Sequence, residues 1–141
     1  MESYKIKQNF YGIMQAYITP ILSLAVVIFF LIAYQERQSM LMLIYIVVII
    51  GLVAYRYLMY INRPMEIEVN GNNIKFKSII GKITELTFAD IEDIEVNKRR
   101  ELFFGMKYKK IRGLNTFKDF DKFIEDAKKK NPEIKFWGFS K

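Results

Sequence analysis

The sequence predicts a two-helix membrane hairpin followed by a small α+β domain. Three observations indicate this fold class. Residues 8–35 and 38–55 carry no charged side chain. A short polar stretch, Gln35–Ser39, separates their most apolar parts. Beyond Pro64 charged residues are frequent, and apolar residues alternate with polar ones as they do in β-strands.

The two apolar segments have the length of membrane-spanning helices. Residues 17–34 and 40–57 each extend about 27 Å as an α-helix. Neither has a polar face at helical spacing, which a surface helix of a soluble domain would show. We therefore expect a hairpin domain over residues 17–61, with helices at about 17–34 and 40–60 and the polar stretch at its tip. The alternative, two buried core helices, needs more surrounding chain than 141 residues supply.

Residues near the helix ends predict the orientation of the hairpin. Tyrosine rings prefer the headgroup level of a membrane, and basic residues favour its cytoplasmic side. The predicted interface anchors are Tyr17, Tyr34, Tyr55, Arg56, Tyr57 and Arg63. Lys5 and Lys7 precede the first helix, whereas the tip has only Arg37 beside Glu36. Both termini are therefore expected in the cytoplasm.

Residues 1–16 are predicted to lie along the membrane surface. An apolar set recurs at helical spacing: Ile6, Phe10, Ile13, Met14 and Tyr17. Lys5, Gln8 and Gln15 fall on the opposite side. This pattern indicates a short interfacial helix before the first span. Pro20 is then expected in the first turn of the spanning helix, where its missing N–H costs least.

Residues 65–141 are predicted to form a cytoplasmic domain, a bent antiparallel β-sheet or partly open barrel closed by a C-terminal helix. In "MEIEV" and "NIKFKSI" apolar residues alternate with charged or polar ones. Asn70-Gly71 between them is a two-residue hairpin signal. Further strands are expected in "ITELTF", around Ile94–Val96, in "ELFFGM" and in "KYKKIRGL".

An amphipathic helix of about 14 residues is predicted to cover the sheet. Thr116 is the expected N-cap, with Asp119 three residues on. The apolar stripe expected to be buried consists of Phe117, Phe120, Phe123, Ile124 and Ala127. Asn131-Pro132 should end the helix, and Trp137 in the tail is expected to pack.

These elements resemble the bacterial PH-like domain family in its small form with two transmembrane helices. The resemblance rests on the strand pair and following segment in "IEVNGNNIKFKSIIGKITELTFADIEDIEV" and on the phenylalanine-rich closing helix. Together they cover most of residues 65–130. The resemblance implies a scaffold or interaction module at the cytoplasmic face of a bacterial membrane.

The residue types present exclude several kinds of catalysis. The chain has no histidine and no cysteine, so histidine bases, thiol nucleophiles and the usual zinc sites are excluded. No phosphate-binding glycine motif occurs. The acidic group around residues 85–95 lacks the ligand order of a calcium loop and is interpreted as exposed strand surface. No enzymatic activity, cofactor or metal is therefore expected.

The strongest charge signal is a basic stretch over residues 97–113. The candidate contacts to anionic lipid headgroups are Lys98, Arg99, Arg100, Lys107, Lys109, Lys110 and Arg112. Because the preceding residues 85–95 are acidic, the domain is expected to have one basic and one acidic face. Ordinary solvated strand faces and turns are the alternative. Nucleic acid is not expected as a partner, because a tethered domain meets the membrane surface far more often.

Two functional hypotheses remain open at this point. In the first, the hairpin anchors a binding or scaffold module whose partner is an unidentified protein or a further copy of the chain. In the second, the hairpin is a subunit of an oligomeric pore or transporter, an idea motivated by Arg56 and Gly51. A fainter alternative is an immunity or stress-accessory membrane protein.

Overall fold

The computed structural model describes residues 3–37 and 39–139, and the chain divides into two units. The helical unit consists of residues 13–61. The second unit, called here the β domain, combines the residues before Ile13 with those from Asn62 onward. The chain therefore starts in the β domain, passes through the helical unit and returns to the same domain.

Two long helices run through the helical unit, α1 (Phe10–Arg37) and α2 (Met40–Ile61). Both are long and apolar enough to cross a membrane. Among the described residues of this unit, only Ala16, Val27 and Ile46 are buried. Most of the apolar side chains face outward, as expected of helices that contact lipid rather than a soluble core.

The first helix starts earlier than predicted. It begins at Phe10, and the Asn9 side chain caps it by accepting a hydrogen bond from the Gly12 N–H at 2.9 Å. Pro20 therefore lies inside the helix and not in its first turn. There it leaves the Ala16 carbonyl without its usual intrahelical donor.

The N-terminal segment forms a strand where an interfacial helix was predicted. Strand β1 (Ser3–Lys7) pairs antiparallel along its whole length with β2 (Pro64–Asn70). Ile6 is 2% exposed and belongs to the core of the β domain. The prediction of a helix for these residues is wrong, because the apolar residues of so short a segment fit the spacing of a helix and that of a strand equally well. Its pairing with a distant strand decides the conformation.

The β domain contains two four-stranded sheets and one helix. The first sheet has the order β1-β2-β3-β4, with β3 (Asn73–Ser78) and β4 (Ile83–Thr87). The second has the order β7-β6-β5-β8. Its strands are β5 (Asp93–Val96), β6 (Glu101–Met106), β7 (Lys109–Leu114) and β8 (Lys135–Trp137). All pairs are antiparallel except β5–β8, so the prediction of one antiparallel sheet is corrected to two mostly antiparallel sheets.

Helix α3 (Phe120–Lys130) contributes its phenylalanines to a core shared with both sheets. The ring of Phe123 lies 5.6 Å from that of Phe88 and 5.8 Å from that of Phe104. All five residues of the predicted apolar stripe are buried. The prediction that this stripe closes the sheets is confirmed.

Three local predictions need correction. Asn70 pairs with Asn73, so the first hairpin turn is Gly71-Asn72, one residue later than predicted, and Gly71 has the positive φ of 57°. Helix α3 follows an N-cap at Asp119 rather than Thr116 and has 11 residues. Trp137 is 56% exposed rather than packed.

Candidate functional site

Two rows of residues lie on the outer face of the second sheet. The register places Lys135, Asp93, Gly105 and Lys110 in one row across β8, β5, β6 and β7. The same register places Trp137, Glu95, Phe103 and Arg112 in a second row. Residues between the rows, such as Ile94 and Phe104, point into the core because alternate side chains of a strand face opposite sides.

An open groove of about 970 Å³ lies over the first row and is called here the sheet groove. Gly105 forms part of its floor, and a Cβ at this position would collide with the Asp93 carboxylate. Two aromatic side chains line the groove. Tyr108, in the β6–β7 turn, is 89% exposed, and Trp137 on β8 is 56% exposed.

Charges of both signs line the sheet groove. The acidic residues are Glu92, Asp93 and Glu133, and the basic residues are Lys109, Lys110 and Lys135. The carboxylates do not form a metal site: within residues 3–37 and 39–139 no three potential ligands are grouped closely enough. The groove is therefore a mixed-charge surface with exposed aromatic residues.

Two of the predicted lipid contacts interact with neighbours on the sheet. Lys110 Nζ lies 3.1 Å from Glu95 Oε2 and 5.1 Å from the centre of the Phe103 ring. The Arg112 guanidinium lies 5.8 Å from the centre of the same ring. Basic and acidic side chains thus interleave on one face of the sheet. The expected separation into a basic and an acidic face is wrong for these residues.

The other five predicted lipid contacts lie near two separate turns. Lys98, Arg99 and Arg100 lie in the β5–β6 turn, whereas Lys107 and Lys109 flank the exposed Tyr108 at the β6–β7 turn. Strand β6 separates the two turns by about 17 Å. The basic stretch therefore forms two clusters and not one patch. Contact of either cluster with lipid stays a prediction.

Arg63, one of the predicted membrane anchors, is buried in the β domain. Its side chain is 8% exposed, and its Nη2 lies 3.4 Å from Glu101 Oε1. Arg112 pairs with the same carboxylate, and Asn97 Nδ2 donates to Glu101 Oε2 at 2.9 Å. The position just before β2 places Arg63 against β6, so this anchor assignment is corrected.

The electrostatic balance at Glu101 follows from these contacts. Burial acts to raise the pKa of Glu101. Hydrogen bonds from Arg112 and Asn97, together with the charges of Arg112 and Arg63, outweigh it and hold the pKa below its ordinary value. The carboxylate is therefore stabilised in its ionised form and links β6 to β7 and to the start of β2.

A second buried polar residue, Gln8, joins the chain segments on either side of the helical unit. Its Nε2 donates to the carbonyls of Pro64, at 3.3 Å, and Leu114, at 3.4 Å. Its Oε1 accepts a hydrogen bond from the Thr116 hydroxyl. Sequence reasoning missed this role because Gln8 was placed on the polar side of a helix. Only the pairing of β1 with β2 reveals it.

The remaining predicted anchors lie on the helices. Tyr17 and Tyr34 are on α1, and Tyr55, Arg56 and Tyr57 are on α2. Arg56 and Tyr57 border a small cleft between the helices, together with the polar residues Gln15, Thr19 and Ser23. A headgroup-level position for these side chains stays a prediction.

No family model, curated protein or solved structure matches the chain. The resemblance to the PH-like family therefore stays a prediction, and the site must be interpreted from its own chemistry.

Proposed function

We propose that the chain is a membrane-anchored binding module of the bacterial cytoplasmic membrane, whose PH-like β domain binds a segment of a partner protein in the sheet groove. The observation that carries this proposal is the exposure of Trp137 and Tyr108 beside one concave surface. Tryptophan and tyrosine are enriched among the residues that dominate binding energy at protein interfaces. Two such side chains exposed to water beside a groove favour a binding role.

The charges of the groove favour a polypeptide over other partners. Because three acidic residues and three lysines line the groove, it lacks the uniform positive charge with which proteins bind a nucleic acid or an anionic membrane surface. A polypeptide segment carries both signs of charge and can complement these acids as well as Lys109 and Lys135. The space beside Gly105 is filled by the Asp93 carboxylate, so this row presents an acidic group to the bound segment.

The position of β1 supports the proposed topology. Strand β1 precedes the helical unit, β2 follows it, and the two are paired in one sheet. The N-terminal strand and the C-terminal part of the chain therefore belong on the same side of any membrane that the two helices cross. Basic residues near these ends favour the cytoplasmic side.

The test uses the full chain in its native membranes, with a photo-crosslinking amino acid in place of Tyr108. We expect an adduct of defined mass that disappears when Trp137→Ala is added. The matched control places the same crosslinker at Ile80, which is 56% exposed in the β3–β4 turn. Equal adducts from both positions, or an adduct insensitive to Trp137→Ala, would contradict the proposal. Circular dichroism of each variant checks that the fold is retained.

A further inference from the structure

The charge of Arg56 is not compensated within the helical unit. The only carboxylate in residues 13–61 is Glu36. The side chains of α1 that share the cleft with Arg56 end at Ser23, and Glu36 lies about 20 Å further along the same helix. Arg56 itself is exposed on α2. The guanidinium of Arg56 cannot lose its proton under physiological conditions. In apolar surroundings this charge therefore requires an anionic partner that comes from outside the helical unit.

Polar side chains lie beside Arg56 on the neighbouring helix. Gln15, Thr19 and Ser23 follow one another at four-residue spacing and therefore share one face of α1. All three line the same cleft as Arg56. The hydroxyl of Ser23 donates to the Thr19 carbonyl at 2.8 Å. This polar stripe stands out against the otherwise apolar surface of the two helices.

The size and level of the cleft restrict its occupant. The cleft holds only about 10 Å³, roughly one water molecule, so a larger anion must bind at its mouth. Arg56 lies about 7.5 Å along the helix from the end of α2 at Ile61. Tyr55, Tyr57 and Tyr60 surround it in sequence, and such rings prefer the headgroup level. The anion most abundant at that level is a lipid phosphate.

We propose that Arg56, with Gln15 and Thr19 of the polar stripe, forms a binding site for the phosphodiester of a phospholipid with net negative charge. The planar guanidinium presents paired N–H donors that match two phosphate oxygens. Tyr57 borders the same cleft, and its hydroxyl can serve as a further donor for the phosphate. The site thereby selects one lipid class beside the helices, which goes beyond the anchoring and partner binding proposed above.

The test measures lipids retained by the full chain after purification in detergent with phosphatidylglycerol or phosphatidylcholine added. Native mass spectrometry reports the number of lipids bound. We expect preferential retention of phosphatidylglycerol, because choline compensates the phosphate charge within its own lipid. Arg56→Gln should reduce that retention about tenfold. Arg56→Lys, which keeps the charge but loses the paired donors, should give an intermediate loss.

Matched variants separate a site from general electrostatics. Arg37→Gln removes an arginine near the hairpin tip and should leave phosphatidylglycerol retention unchanged. Thr19→Val removes one polar group of the stripe at nearly constant volume and should reduce retention several-fold. Equal losses in Arg37→Gln and Arg56→Gln, or no loss in Arg56→Gln, would overturn the proposal. Displacement of the lipid by millimolar glycerol phosphate would instead assign the site to a soluble phosphate ligand and overturn its assignment to lipid.

Discussion

The pairing of β1 with β2 leads to a strong prediction. Strand β1 precedes the two helices in the sequence, yet it completes a domain whose other strands all follow them. Ile6 is 2% exposed in the common core, and its neighbours in β1 pair with β2 from Asn70 to Glu66. The Ile6→Ala substitution removes buried methyl groups that β1 contributes to the core of the β domain. Such substitutions cost about 2–5 kcal/mol. With a denaturant slope of about 2 kcal/mol per M, the urea midpoint should fall by about 1–2.5 M.

The measurement follows the only tryptophan of the chain during urea unfolding of the full protein in detergent micelles. Trp137 lies on β8, so its emission reports on the β domain rather than on the helices. Lys7→Ala is the matched control. This side chain is 70% exposed and its pair with Glu66 is worth about 0–1 kcal/mol. Equal midpoints for Ile6→Ala and Lys7→Ala would refute the inclusion of β1 in the folded domain.

Three further predictions concern the core, the buried carboxylate and the basic turn. Phe123→Ala should lower the free energy of unfolding by about 3–5 kcal/mol, because its ring is fully buried between α3 and the sheets. The pKa of Glu101 is lowered by folding, so its contribution to stability is present above the ordinary carboxyl range and is lost as the pH falls through the folded pKa. Glu101→Gln should therefore lower stability at neutral pH and flatten the acid-side loss. Reversing Lys107 and Lys109 to Glu should weaken salt-sensitive binding of the purified full chain to anionic vesicles, because both lysines are exposed at the β6–β7 turn.

Each of these three predictions has a control and a contradicting result. Phe103→Ala removes a ring from the outer face and should cost less than Phe123→Ala, and the reverse order would contradict the core assignment. Parallel urea titrations between pH 3 and pH 7 give the free energy of unfolding as a function of pH for the original protein and for Glu101→Gln. The same pH dependence in both would contradict the pKa argument for Glu101. For the turn, Lys98→Glu with Arg99→Glu is the comparison. Equal losses of vesicle binding from charge reversal in the β5–β6 turn and in the β6–β7 turn would contradict a specific contact of the β6–β7 turn with lipid.

The elements that sequence analysis predicted well are those whose own side chains decide their structure. The alternation in β2 and β3 matches their buried faces, with Ile67, Val69, Ile74 and Phe76 inside. Length and apolarity predicted two helices that are long enough to span a membrane. The stripe on α3 predicted its buried face because a helix of this kind can bury only one side.

The elements that sequence analysis missed depend on distant partners. Strand β1 finds β2 only after the whole helical unit has intervened, and β8 joins β5 in parallel after α3. Both strands are too short for the spacing of their apolar residues to distinguish a strand from a helix. The turn at Gly71 shows the same limit on a smaller scale, since the register of β2 and β3 moved it by one residue. The sheet groove was missed because it arises from the register of four strands.

Charge blocks along a sequence do not become charged faces when the blocks fold into neighbouring strands. The acidic strand β5 and the basic strand β7 lie on either side of β6, and their outward side chains are brought within reach of one another. Lys110 meets Glu95 in this way, although the two are 15 residues apart in sequence. Paired charges of this kind contribute little to a long-range field. The basic residues of the stretch 97–113 without such a pairing lie at the β5–β6 and β6–β7 turns. Electrostatic contact with a membrane or a partner should therefore be tested at these two turns.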